Sequence, residues 1–149
     1  MLFVLLMTLV PRMDAQADIA KVLDAWHLAA AKADEAAYFG HMAEDSIYLG
    51  TDASERWDKA AFQKFAHPYF AKGKAWTFAA SRRNIMLAKN GQLAWFDEDL
   101  KTQNLGPARG SGVLRLESGV WKIVHYNLTI TVPNEKFAAV KKVLEAGSP

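Results

Sequence analysis

Arg109-Gly-Ser-Gly-Val-Leu-Arg-Leu-Glu-Ser-Gly-Val-Trp-Lys-Ile-Val-His-Tyr-Asn-Leu-Thr129 reads as one β-hairpin. Its two arms meet at Ser118-Gly119, and a two-residue turn fixes strand register. Leu116 then faces Trp121, and Leu114 faces Ile123. Continued without interruption, the same register sets Gly112 against His125 and Gly110 against Asn127. One face of the hairpin is thus bulky and apolar near the turn. Farther out it becomes polar, with two side chains missing. A glycine in a strand leaves room above the sheet, and room beside polar groups is what a small-molecule site needs.

A second hairpin precedes the first. Asn90-Gly91 between apolar runs is a strong turn signal. It pairs Leu87 with Ala94, Ile85 with Phe96 and Arg83 with Glu98. A looser turn over Asn104 to Ala108 joins the two hairpins and sets Glu98 opposite Gly112. The four strands then share a face. Ile85, Leu87, Phe96, Leu114, Leu116, Trp121 and Ile123 fill one half of it. Ser81, Arg83, Glu98, Gly110, Gly112, His125 and Asn127 fill the other. A one-residue slip in the middle turn would replace Glu98 on this face by Asp97 and Asp99.

The chain has 149 residues, 51% of them hydrophobic, which suits one domain with a sizeable core. The formal charge is only +2, and Lys and Arg are scattered. No basic stripe marks a nucleic-acid partner. The absence of cysteine excludes disulfides and thiolate metal sites. His27, His41 and His67 show no metal-ligand spacing, and no phosphate-binding loop, dinucleotide fingerprint or nucleophile elbow is present, so neither a metal nor a cofactor is expected. The apolar run Leu2–Val10 is too short to span a bilayer. With Ala15-Gln16-Ala17 after it, the expectation is a signal peptide over residues 1–17 and a periplasmic or secreted domain over 18–146; otherwise the protein is cytoplasmic.

Ahead of the hairpins the pattern is helical. Asp18 is a candidate cap for a helix carrying Ile19, Val22, Leu23, Trp26 and Ala30. Asp34 caps a shorter one with Ala37, Tyr38 and Met42. Ser46–Gly50 alternates as a short strand. Asp58 caps a third helix, with Trp57 and Phe62 placed as a hydrophobic staple and Pro68 ending or kinking it. Pro133-Asn134 opens a last helix with Phe137, Val140, Val143 and Leu144. Helices followed by an antiparallel meander give an α+β fold in which the helices pack on a curved sheet to make a cone.

With that order of elements the chain resembles the nuclear transport factor 2-like superfamily, and within it the SnoaL-like branch. The likeness rests on Arg109-Gly-Ser-Gly-Val-Leu, on Gly119-Val-Trp-Lys-Ile-Val-His-Tyr-Asn-Leu-Thr, and on Glu55-Arg56-Trp57 upstream. The resemblance implies a cone-shaped pocket and dimers through the outer face of the sheet. Isomerases, cyclases, dehydratases and non-catalytic association modules share the fold, so it supplies no activity by itself.

The expected site is Arg83, Glu98, His125 and Asn127. His125 has the intrinsic pKa of a general acid or base, and Glu98 stands beside it as partner or second acid. Arg83 is suited to a ligand carboxylate and Asn127 to a carbonyl. Trp26 and Tyr38, from the helices over this face, are further ligand contacts, Tyr38 as an oxyanion donor. The first expectation is a binder of a small, largely apolar molecule. The alternatives are cofactor-free proton transfer of the isomerase, cyclase or dehydratase kind, and a dimerisation module. Val113, Val124, Tyr126 and Leu128 would face outward and form the dimer contact.

Overall fold

The computed structural model describes residues 14–147; residues 1–13 of the expected leader lie outside them. Helices α1 (Ala15–Ala31) and α2 (Glu35–Gly40) lead into strand β1 (Met42–Leu49) and the short β2 (Arg56–Asp58). Helix α3 (Lys59–Ala71) precedes the meander β3 (Phe78–Leu87), β4 (Leu93–Thr102), β5 (Ala108–Glu117) and β6 (Val120–Ile130). A 3₁₀ turn and α4 (Phe137–Ala146) close the chain. The sheet order is β2-β1-β6-β5-β4-β3, with only the β1–β6 pair parallel. The sheet is curved and unclosed; α1 packs on β3 and β6, α2 on β1, and α3 on β1 and β2.

Local chemistry explains the helix boundaries. The Asp34 and Asp58 carboxylates cap α2 and α3 by accepting from Ala37 N and Ala61 N. The staple is formed: the Trp57 and Phe62 rings stack at 5.5 Å. Helix α1 starts one turn earlier than expected, because Asp14 rather than Asp18 accepts from Gln16 N and Ala17 N. Ala15-Gln16-Ala17 is therefore helical. Pro68 sits inside α3, which runs on to Ala71.

The two hairpins hold their expected registers near their turns. Leu116 faces Trp121, Leu114 faces Ile123, Leu87 faces Ala94 and Arg83 faces Glu98. Ser118 and Gly119 both take positive φ, 48° and 83°, as a turn matched to strand twist requires. The middle register is shifted by two residues: Glu98 faces Gly110 and Phe96 faces Gly112. A shift of two keeps every side chain on its side, so Glu98 is on the inner face as expected.

Beyond Leu114 the β5–β6 pair departs from the sequence reading. Val113 faces His125, Gly112 faces Tyr126 and Gly110 faces Leu128. One extra residue on β6, at Val124, makes a β-bulge and reverses the facing of the residues beyond it. His125 and Asn127 move to the outer face, and Tyr126 and Leu128 turn inward. The driving force is burial. Trp121 and Ile123 lie on one parity of the strand and Tyr126 and Leu128 on the other, and the bulge puts all four inside. Tyr126 is 0% exposed and Leu128 7%, and each large apolar side chain so buried contributes about 1.5–3 kcal/mol. The outer-face contact expected from Tyr126 and Leu128 is corrected accordingly.

Candidate functional site

Two polar features sit on the inner face, one behind the other. The deeper is an ion cluster around Glu98, which is fully buried. His27 Nε2 lies 2.6 Å from its Oε1, and Arg83 Nε donates to its Oε2 at 2.8 Å. The Tyr126 hydroxyl points at Oε1 from 3.5 Å. Arg83 reaches on to the helix, donating through Nη1 to Asp24 Oδ1 at 2.8 Å and to the Ala20 carbonyl at 3.2 Å. Ala20, Asp24 and His27 share one face of α1 by their four- and three-residue steps. The cluster therefore ties α1 to β3 and β4.

Electrostatics sets the protonation. Burial pushes the Glu98 carboxyl up, but the hydrogen bond and charge of His27 and the Arg83 guanidinium outweigh it and hold it below the usual carboxylate range. An ionised carboxylate only accepts, so the His27 Nε2 carries the proton of that bond. Burial first, then Tyr48 and the Glu98 carboxylate, push the Tyr126 phenol well above its usual value, so it stays neutral.

The room expected over the glycines is filled. A methyl group on Gly110 would overlap the Tyr126 hydroxyl and come within 3.0 Å of Glu98 Oε1. One on Gly112 would meet the His125 carbonyl and stand 2.9 Å from the Phe96 ring. Neither glycine opens a pocket. Each lets a neighbouring side chain lie close to the backbone.

The second feature is a cavity of about 160 Å³ at the end of the sheet where β1 and β6 finish. Tyr48, Trp57, Phe62, Phe65, Trp76 and Phe78 give it an aromatic wall. Gly50, Thr51 and Glu55, from the β1–β2 loop, supply a polar side, with Asn104 and Leu105 from the β4–β5 turn and Leu128 below. The wall is continuous with the core: Tyr48 stacks on Phe62 at 4.0 Å and Trp57 on Phe65 at 4.5 Å. It is also what separates the cavity from the ion cluster. Phe78 packs edge-on to His27, Tyr48 lies against Tyr126, and Leu128 faces Gly110.

The structure brings only part of the expected site together. Arg83 and Glu98 meet in the cluster. His125 and Asn127 lie across the sheet from them, in outer-face rows with Val113 and Ser111. Trp26 and Tyr38 are buried in the aromatic core, stacked on each other at 4.9 Å, and neither lines the cavity. His27 was accessible to sequence reasoning: it comes eight residues after Ile19 and four after Leu23 and so belongs to the buried stripe of α1. Glu55 and Trp57 carried the resemblance, but nothing local marked them as cavity residues. Among the described residues, no three His, Asp or Glu side chains converge as a metal-ligand set. No helix there is long and apolar enough to cross a membrane.

The SnoaL-like domain model matches residues 19–133, spanning α1 to the end of the sheet. The chain belongs to the SnoaL-like family. Solved structures agree on the fold. A nuclear transport factor 2-like protein of unknown function from Pseudomonas putida superposes with a TM-score of 0.68 at 15% identity, covering 82% of this chain and 90% of that one. A protein from Novosphingobium aromaticivorans, named as a candidate aromatic ring hydroxylase, gives 0.68 at 16% identity over 80% of this chain and 90% of that one. A candidate calcium/calmodulin-dependent protein kinase II association domain from Xanthomonas campestris gives 0.59 at 18% identity, covering 76% and 85%. No curated protein matches the chain. At these identities the likeness is one of fold, and this SnoaL-like chain's site has to be argued from its own residues.

Proposed function

We propose that this SnoaL-like protein binds a small, largely apolar molecule in the aromatic cavity beside Glu55. The carrying observation is the cavity itself, about 160 Å³ bounded by six aromatic side chains and one carboxylate. An apolar cavity of about 150 Å³ is known to accept benzene, so the ligand is of that size, smaller than most drugs. Aromatic walls with a few polar groups are the usual composition of a ligand site. In this reading Glu98, Arg83 and His27 hold the wall in place from behind.

The test is ligand-observed NMR with small fragments (phenol, indole, toluene and short alkylamines), followed by Trp57 and Trp76 fluorescence. Binding by wild-type protein and its loss in Leu105→Trp, which fills the cavity from a loop, is the expected result. Failure of every fragment to bind would overturn the reading.

A second reading concerns the outer face. Met86, Trp95, Val113, His125 and Ile47 form one cross-strand row there, and Trp95 is 46% exposed. A largely apolar row carrying an exposed tryptophan favours a two-fold contact between copies of this chain. Val113 from the expected contact belongs to it; Val124, the unpaired bulge residue, and Tyr126 and Leu128 do not. Trp95→Glu should convert a dimer to a monomer in sedimentation velocity. A wild-type monomer at high concentration would remove this reading.

A further inference from the structure

Building on the cavity reading, we propose that the ligand is an organic cation, an alkylammonium or quaternary ammonium group held between the aromatic wall and the Glu55 carboxylate. The faces of aromatic rings carry negative quadrupole potential, and a cation desolvated against several of them is attracted to them. Here the wall presents two tryptophans, three phenylalanines and a tyrosine. Glu55 is the only charged side chain in the lining. No Lys, Arg or His among the described residues comes within ion-pair distance of it, although Asp45, Glu98 and Asp99 all have such partners. Arg56, next in sequence, pairs with Leu49 on the opposite side of the sheet from Trp57 and Tyr48.

The carboxylate is also held in place. Glu55 Oε2 accepts from Asp52 N at 3.1 Å, and Gly50 N donates to the Glu55 carbonyl at 2.9 Å. Gly50 has no side chain where Glu55 folds over it, and a methyl group there would collide with the carboxylate. Its charge reaches the wall: burial first and then Glu55 push the Tyr48 phenol upward. One oxygen is thus anchored by the loop, with its formal charge uncompensated beside an apolar cavity. A neutral ligand would leave that charge facing hydrocarbon, and an anion would be repelled by both the carboxylate and the ring faces. A compact cation satisfies both.

The probes are choline and its uncharged isostere 3,3-dimethylbutan-1-ol, titrated by calorimetry and tryptophan fluorescence. Choline should bind wild-type protein at least tenfold more tightly than the alcohol. Glu55→Gln keeps the acceptor for Asp52 N and removes the charge, so it should remove most of that preference. Equal binding of the two probes, or binding of phenol and toluene without choline, would overturn the cation assignment and leave the cavity reading standing. If choline, the alcohol and the aromatic fragments all fail, both fall together.

Discussion

Glu98 sits on β4 and Glu55 in the β1–β2 loop at the end of the sheet, and their surroundings differ in kind. Glu98 is fully buried, and both of its oxygens are engaged by a histidine and an arginine. Glu55 is half-buried, has one backbone partner, and borders empty space. A buried charge satisfied from within the chain leaves nothing to offer a ligand. A carboxylate at a cavity without a cation leaves a valence to be filled. The first arrangement joins a helix to a sheet, and the second is where binding chemistry is to be sought.

The largest effect should come from breaking the deeper site. Glu98→Ala leaves the buried His27 without its partner and Arg83 with only Asp24 and the Ala20 carbonyl, and removing one partner of a buried ion pair costs about 3–5 kcal/mol. For a chain of this size that is a fall in Tm of about 10 °C or more, measured by calorimetry. A loss under 1 kcal/mol would mean that water reaches the cluster. The pH dependence carries a sign. Because the folded Glu98 pKa is depressed, its contribution is complete above the unfolded value and disappears as pH falls through the folded one. The stability gap between wild type and Glu98→Gln should therefore hold from neutral pH down to about pH 4.3, the ordinary glutamate value, and close below it.

A smaller effect should come from Gly110, where the cluster leans on the strand. Gly110→Ala places a methyl group into the Tyr126 hydroxyl, an overpacking that costs about 1–3 kcal/mol. Tyr126→Phe removes the obstructing oxygen. Urea unfolding of the double variant should recover at least half of the loss. Additive losses would show that the strain comes from the ring carbon at 2.9 Å and Glu98 Oε1 at 3.0 Å and not from the hydroxyl.

Legibility in the sequence divides along the same line, between local and gathered features. Short turns fixed Leu116 against Trp121, Leu114 against Ile123 and Arg83 against Glu98, because register propagates regularly from a turn until something interrupts it. Val124 is that interruption, and a valine in a strand carries no mark of a bulge. The choice was instead made by tertiary burial: Tyr126 and Leu128 are worth more inside than His125 and Asn127. That one residue dispersed the expected site over two faces. The helix caps at Asp34 and Asp58 and the Trp57–Phe62 staple are contacts between near neighbours in the chain and could be read directly. The cavity gathers residues from Tyr48 to Leu128, so it becomes visible only once α3, the β1–β2 loop and the β4–β5 turn are brought together.

The smallest effect sharpens the comparison most. Glu55→Gln should change folding stability by less than about 0.5 kcal/mol, the ordinary range for a substitution away from the core. The amide oxygen can still accept from Asp52 N, and no cation is left unpaired. Measured beside Glu98→Gln by chemical denaturation, it separates the strand carboxylate from the loop carboxylate. If Glu55→Gln were instead as costly as the Glu98 variant, its charge would be holding the β1–β2 loop together. The opening to the cavity would then be a structural joint and not a vacant ligand position. A near-silent change in stability with a changed response to cations assigns the loop carboxylate to binding, because a group kept for the fold has to register in the fold's free energy.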